Sequence, residues 1–103
     1  MTNENYMMYE FKGRLMKELS RKLTKKVSIN IFYKEDGDFI GVILSTPDAK
    51  EDNNRLYRIE NPWEMITKNA PITPHVDTIV EQYRSYIISR YFKGERYEKD
   101  ERI

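Results

Sequence analysis

The chain of 103 residues contains no cysteine. That excludes a disulfide scaffold, cysteine-ligated zinc, iron–sulfur clusters and thiol catalysis. No apolar run approaches the roughly 18–20 residues that a membrane span needs. The opening MTNENYMMYEFKGR places acids ahead of bases and lacks an apolar h-region, so it does not read as a signal peptide. Glycine is scarce: the four glycines are scattered at 13, 37, 41 and 94. No GxGxxG, Walker-type loop, GxSxG elbow or HExxH occurs. Charge of one sign is lacking as well, because charged residues make up 34% of the chain yet the net charge is only +1. A strongly acidic DNA mimic is thereby excluded. A strongly basic nucleic-acid binder is excluded for the chain as a whole, though not as a local patch.

The length fits one domain, since autonomous domains run about 50–200 residues and bury roughly two thirds of their unfolded surface at this size. Residues 1–94 are expected to form that domain, and residues 95–103, ERYEKDERI, a charged tail expected to fray. With a mean hydropathy of −0.81 the chain reads as soluble and cytoplasmic. Charge is nevertheless uneven. Residues 1–34 hold eight bases against three acids, residues 35–61 three against seven, and residues 62–103 seven against seven.

Residues 4–24 show helical periodicity. Met8, Phe11, Leu15, Leu19 and Leu23 recur at three- and four-residue steps. Gly13 costs about 1 kcal/mol against alanine there, and Lys25-Lys26 suits a helix C-terminus. The period then changes to two: Val27, Ile29, Ile31 and Tyr33 point one way, and Ser28, Asn30, Phe32 and Lys34 the other. Glu35-Asp36-Gly37-Asp38 reads as a hairpin turn in which Asp-Gly supplies positive φ. Phe39–Leu44 is the returning strand. Its apolar residues occupy both faces, which makes it the central strand or one covered on its second face. Thr46 to Asn54 is a polar loop, and Arg55–Ile59 a short edge strand.

Asn61-Pro62-Trp63-Glu64 reads as a helix start, with Asn61 as cap and Glu64 completing a box-like arrangement. That helix is expected to end near Asn69, ahead of Pro71. A second start at Thr73-Pro74 opens a helix to about Phe92, with Gly94 placed to stop it. The order α-β-β-β-α(short)-α predicts an α+β domain: a three-stranded antiparallel sheet covered by two long helices.

Reactive groups are few. His75 is the lone histidine, in a first helical turn where the dipole disfavours its cation, with Asp77 or Asp48 as the available orienting carboxylates. Glu35, Asp36 and Asp38 read as a solvated turn, because calcium takes six or more oxygen ligands and the patterned calcium loop is absent. No catalytic residue, cofactor or metal is expected.

Two surfaces are candidates for binding. Arg14, Lys17, Arg21 and Lys25 fall on one ridge of the first helix, opposite its apolar stripe and edged by Lys22. Such a ridge suits phosphate backbones or acidic proteins, although Glu18 lies within it and helical ion pairs explain part of it. On the last helix, Ile88 and Phe92 form an i, i+4 apolar pair outside the stripe of Val76, Ile79, Val80, Tyr83, Ile87 and Tyr91. Covering them requires the tail, the short helix or another chain, including a homodimer through this helix. Tyr6, Tyr9, Tyr57 and Trp63 are the aromatics expected at the surface, with Trp63 also placed to plug the gap between short helix and sheet.

The helix–strand–strand–strand–helix order invites comparison with double-stranded RNA-binding domains. That family's histidine between the first two strands and its lysine cluster opening the last helix are absent from Glu35–Asp38 and Thr73–Asp77. Across about residues 10–90 the chain resembles small proteins of Gram-positive bacteria and their phages. The resemblance lies in the strand DGDFIGVIL (Asp36–Leu44) and the closing Ile79-Val80-Glu81-Gln82-Tyr83. The resemblance assigns no function by itself; taken with the compact chain and the absence of catalytic motifs, it leads to the expectation of a small non-catalytic protein that contacts another protein, such as a phage or mobile-element regulator or an inhibitor of a host defence complex. Nucleic-acid binding through the ridge of the first helix is the alternative, and no membrane partner is expected.

Overall fold

The computed structural model describes the backbone of residues 3–46 and 54–102, with side chains over residues 6–46 and 54–89. Helix α1 spans Asn3–Lys22 and strands β1, β2 and β3 span Ser28–Lys34, Phe39–Ser45 and Arg55–Glu60. Helices α2 and α3 follow at Pro62–Thr67 and Thr73–Arg102. The expected α+β order and single antiparallel sheet are present, with β2 in the centre. The expected polar loop from Thr46 to Asn54 lies mostly outside the described residues.

The core is built where the helical stripes meet one face of the sheet. Phe11, Leu15 and Leu19 of α1 and Val76, Ile79, Val80 and Tyr83 of α3 close over Ile40, Val42 and Leu44 of β2 and Ile59 of β3. Met65 and Pro62 of α2 fill one end. Ile29, Ile31 and Tyr33 of β1 face the same way but stay half-buried, because β1 is an edge strand. Three cross-links tie α1 to α3: Lys22 pairs with Asp77, the Arg84 guanidinium donates to the Lys22 carbonyl at 2.8 Å, and the Thr73 hydroxyl donates to Glu18 at 3.1 Å. A cation at that carbonyl satisfies one of the helix's terminal acceptors.

Several local expectations are corrected. Helix α1 ends at Lys22, so its last-turn cations are Arg21 and Lys22, and Lys25-Lys26 belongs to the turn that follows. The hairpin places positive φ on Asp38 (45°), not on Gly37. The connection has four residues, closed by the Asp38 N–H donating to the Glu35 carbonyl, so the left-handed position falls at its end. Asp38 is held there by the Tyr33 hydroxyl, at 3.1 Å, and by the Asn61 N–H, which donates to its carbonyl at 2.9 Å.

Asn61 occupies the N-cap position without capping through its side chain. Its backbone is left-handed (φ 53°), and Glu64 binds Lys68 instead of reaching back to form a box. At the other end Asn69 is left-handed (φ 52°), with Ala70 N–H donating to Met65 O and Asn69 N–H to Ile66 O. That pair of bonds is a Schellman motif, which asparagine tolerates. Helix α3 passes through Gly94 and continues to Arg102. Glycine costs a helix about 1 kcal/mol without requiring a stop, and Glu95 and Arg96 beyond it are good helix formers.

Candidate functional site: an open apolar sheet face

The sheet's second face is also apolar. Register puts Phe32, Phe39, Ile43 and Leu56 on the side away from the core. None of the four belongs to the core cluster, and Leu56 is 53% exposed. Gly41 sits at the centre, paired with Phe32 on one side and Arg58 on the other. The Phe32 ring lies directly over it: a Cβ built on Gly41 would come within 3.0 Å of three ring carbons. Glycine here is therefore a requirement of close approach, and the ring in turn shields the bare backbone. Phe39 meets Phe32 edge to face at 6.2 Å, and the Arg58 guanidinium stands 3.7 Å above the Phe39 ring while bonding Glu60.

This face was foreshadowed by the two-sided apolar pattern of β2, but the cross-strand neighbours that complete it follow only from the register. Phe32 and Leu56 come from strands on either side, more than twenty residues apart in sequence.

The basic ridge is present as four exposed cations: Arg14, Lys17, Arg21 and Lys25. Lys25 stands in the turn beyond the helix, and Arg14 lies 5.7 Å over the Phe11 ring. None of the four is in an ion pair among the described residues, whereas Glu18 turns aside to accept from the Thr73 hydroxyl at 3.1 Å. Ile88 is 52% exposed and borders a hollow of about 240 Å³ floored by Leu23, Val27, Tyr83 and Ile87. The side chain of Phe92 lies outside the described residues, so its pairing with Ile88 is not part of the described site.

Tyr6 and Tyr9 are exposed as expected, but Tyr57 is half-buried, its ring 6.5 Å from that of Tyr83. Trp63 is half-buried edge-on to Tyr33, which fits its role as a plug. Burial pushes the Tyr33 phenol up, aided by Asp38, and burial likewise raises Tyr57 against the opposing pull of Arg55.

His75 is exposed and shares a shallow hollow of about 210 Å³ with Glu60 and Glu64. Each of those carboxylates is engaged elsewhere, with Arg58 and Lys68, and Asp77 with Lys22. Asp48 lies outside the described residues. Among the described residues no three His, Asp or Glu side chains converge as a metal cage, and no helix is long and apolar enough to cross a membrane. No family model, curated protein or solved structure matches the chain.

Proposed function

We propose that this protein acts, without catalysis of its own, by binding another protein through the outer face of its sheet. The observation that carries the reading is the cluster of Phe32, Phe39, Ile43 and Leu56 outside the core. Full burial of one such side chain is worth roughly 1.5–3 kcal/mol. Aromatic residues and arginine are also the types that dominate protein contacts. The fitting partner presents an apolar stripe to this flat surface. A role in regulating or inhibiting a host complex, as for a phage or mobile-element protein, is part of this proposal and rests on the compact chain, its lack of catalytic motifs and the sequence resemblance together.

A second reading is nucleic-acid binding, favoured by the four exposed cations of the ridge, none of them in an ion pair among the described residues. Affinity capture from the native cell separates the two. Protein binding through the sheet predicts a partner retained in high salt, lost with Leu56→Asp and kept with Lys17→Glu/Arg21→Glu. Capture that is abolished by nuclease, falls steeply with salt and is lost with the ridge variant would replace it with the second reading.

A further inference from the structure

The two free edges of the sheet are protected differently. On β3, Arg55 points to the inner face, its guanidinium 4.7 Å over the Tyr86 ring. An inward charge on an edge strand blocks pairing with another strand. On β1 the inner-face residues are Ile29, Ile31 and Tyr33, all half-buried, and the strand holds no proline. Its one charged residue, Lys34, is the last. Antiparallel geometry leaves alternate backbone N–H and C=O groups of such a strand pointing outward, and among the described residues no strand pairs with that side.

Charge at the ends of β1 says what fits this edge. Lys25 and Lys26 precede the strand and Glu35 and Asp36 follow it. All four are exposed, and none is in an ion pair among the described residues. A strand preceded by two bases and followed, beyond its closing Lys34, by two acids complements an antiparallel copy of itself.

Helix α1 supplies a second layer. It packs over β1, while α3 packs over β3. Glu18 and Lys22 mark the α1 flank facing α3. Tyr9 and Met16 lie about 120–180° around the helix from them, at about 100° per residue. They therefore sit on the flank above the open β1 edge, and they are 68% and 37% exposed.

We propose that β1 pairs antiparallel with β1 of a second copy of this chain, joining two three-stranded sheets into one of six strands. With Ile31 on the two-fold axis, Tyr33 lies opposite Ile29 of the second copy and Phe32 opposite its Asn30. No like charges stand directly opposite one another. The Lys25-Lys26 turn of each copy lies beside the Glu35-Asp36 turn of the other, and the Tyr9 and Met16 flanks approach above. The self-complementary patch forms a closed, isologous interface. An edge about 24 Å long and two layers deep is at the small end for a stable dimer, so association is reversible and concentration-dependent.

The test exploits the charge pattern at positions that do not touch the core. Sedimentation of the wild type is expected to rise with concentration from 12.5 kDa towards twice that mass. Lys25→Glu/Lys26→Glu makes both ends acidic, and Glu35→Lys/Asp36→Lys makes both basic. Each variant alone is expected to stay monomeric while keeping the wild-type circular dichroism. Their equimolar mixture is expected to recover the doubled mass, because every acidic end then meets a basic one. A wild type that remains at 12.5 kDa at the highest concentration overturns the proposal. So do variants that dimerise as well as wild type, a mixture that stays monomeric, or a dimer abolished by Ile88→Asp and indifferent to the charge swaps.

Discussion

The sheet has two apolar faces, and they differ in what closes them. On the inner face Ile40, Val42 and Leu44 are wholly buried beneath α1 and α3. On the outer face the Phe32 ring covers Gly41, Arg58 caps Phe39, and Leu56 stays open. The inner face is satisfied by distant elements whose stripes have matching period. The outer face is satisfied by its own neighbours, ring over glycine and cation over ring, and keeps apolar area to spare. The inner face therefore carries stability and the outer face carries availability, although their residues alternate along the same strands.

The largest effect that can break this contrast is in the core. Leu15→Ala is expected to cost about 2–5 kcal/mol, the range for cavities that only partly collapse. Leu56→Ala on the outer face is expected to stay within about 0.5 kcal/mol. Denaturant midpoints measure both, and equal losses would show that the outer face is as closed as the inner.

Next comes Gly41→Ala, which forces the Phe32 ring off the sheet. Overpacking of this kind costs typically about 1–3 kcal/mol. The cost should largely vanish in a Phe32→Ala background, and a double-mutant cycle reads that coupling. Additive losses would mean that the ring does not depend on the glycine.

The smallest expected effect is a pH dependence. Tyr33 and Tyr57, both on the inner face, have phenol pKa values raised above the usual 10.0. A raised folded pKa favours the proton in the folded state. The stability it contributes is complete below the unfolded value of about 10 and is lost as pH rises through the folded one. Ultraviolet titration should show these two phenols ionising above the unfolded value of about 10, with stability declining over the same alkaline interval. Ionisation at the value of an unfolded tyrosine would place them outside the core.

Much of the fold was legible because its signals are local and periodic. The stripe of Met8, Phe11, Leu15 and Leu19 and the alternation along β1 gave the elements and their faces. Details that depend on backbone geometry were not legible. Asp-Gly named the turn, but the four-residue connection moved positive φ to Asp38. Asn61 stood where a cap belongs, yet its left-handed backbone withheld the side chain. Gly94 resembled a stop, but a glycine ends a helix only where the following chain turns away. The ridge of Arg14, Lys17 and Arg21 was readable from helical spacing. The outer-face cluster was not, because Phe32, Ile43 and Leu56 become neighbours only through pairing across three strands.

The most direct test of the outer face as the binding surface is methyl NMR of isoleucine- and leucine-labelled protein, titrated with the partner recovered by affinity capture. The account predicts that the Ile43 and Leu56 methyl signals shift or broaden while those of Ile40, Ile59 and Leu15 hold. Perturbation confined to Ile87 and Ile88, with Ile43 and Leu56 unmoved, would contradict it.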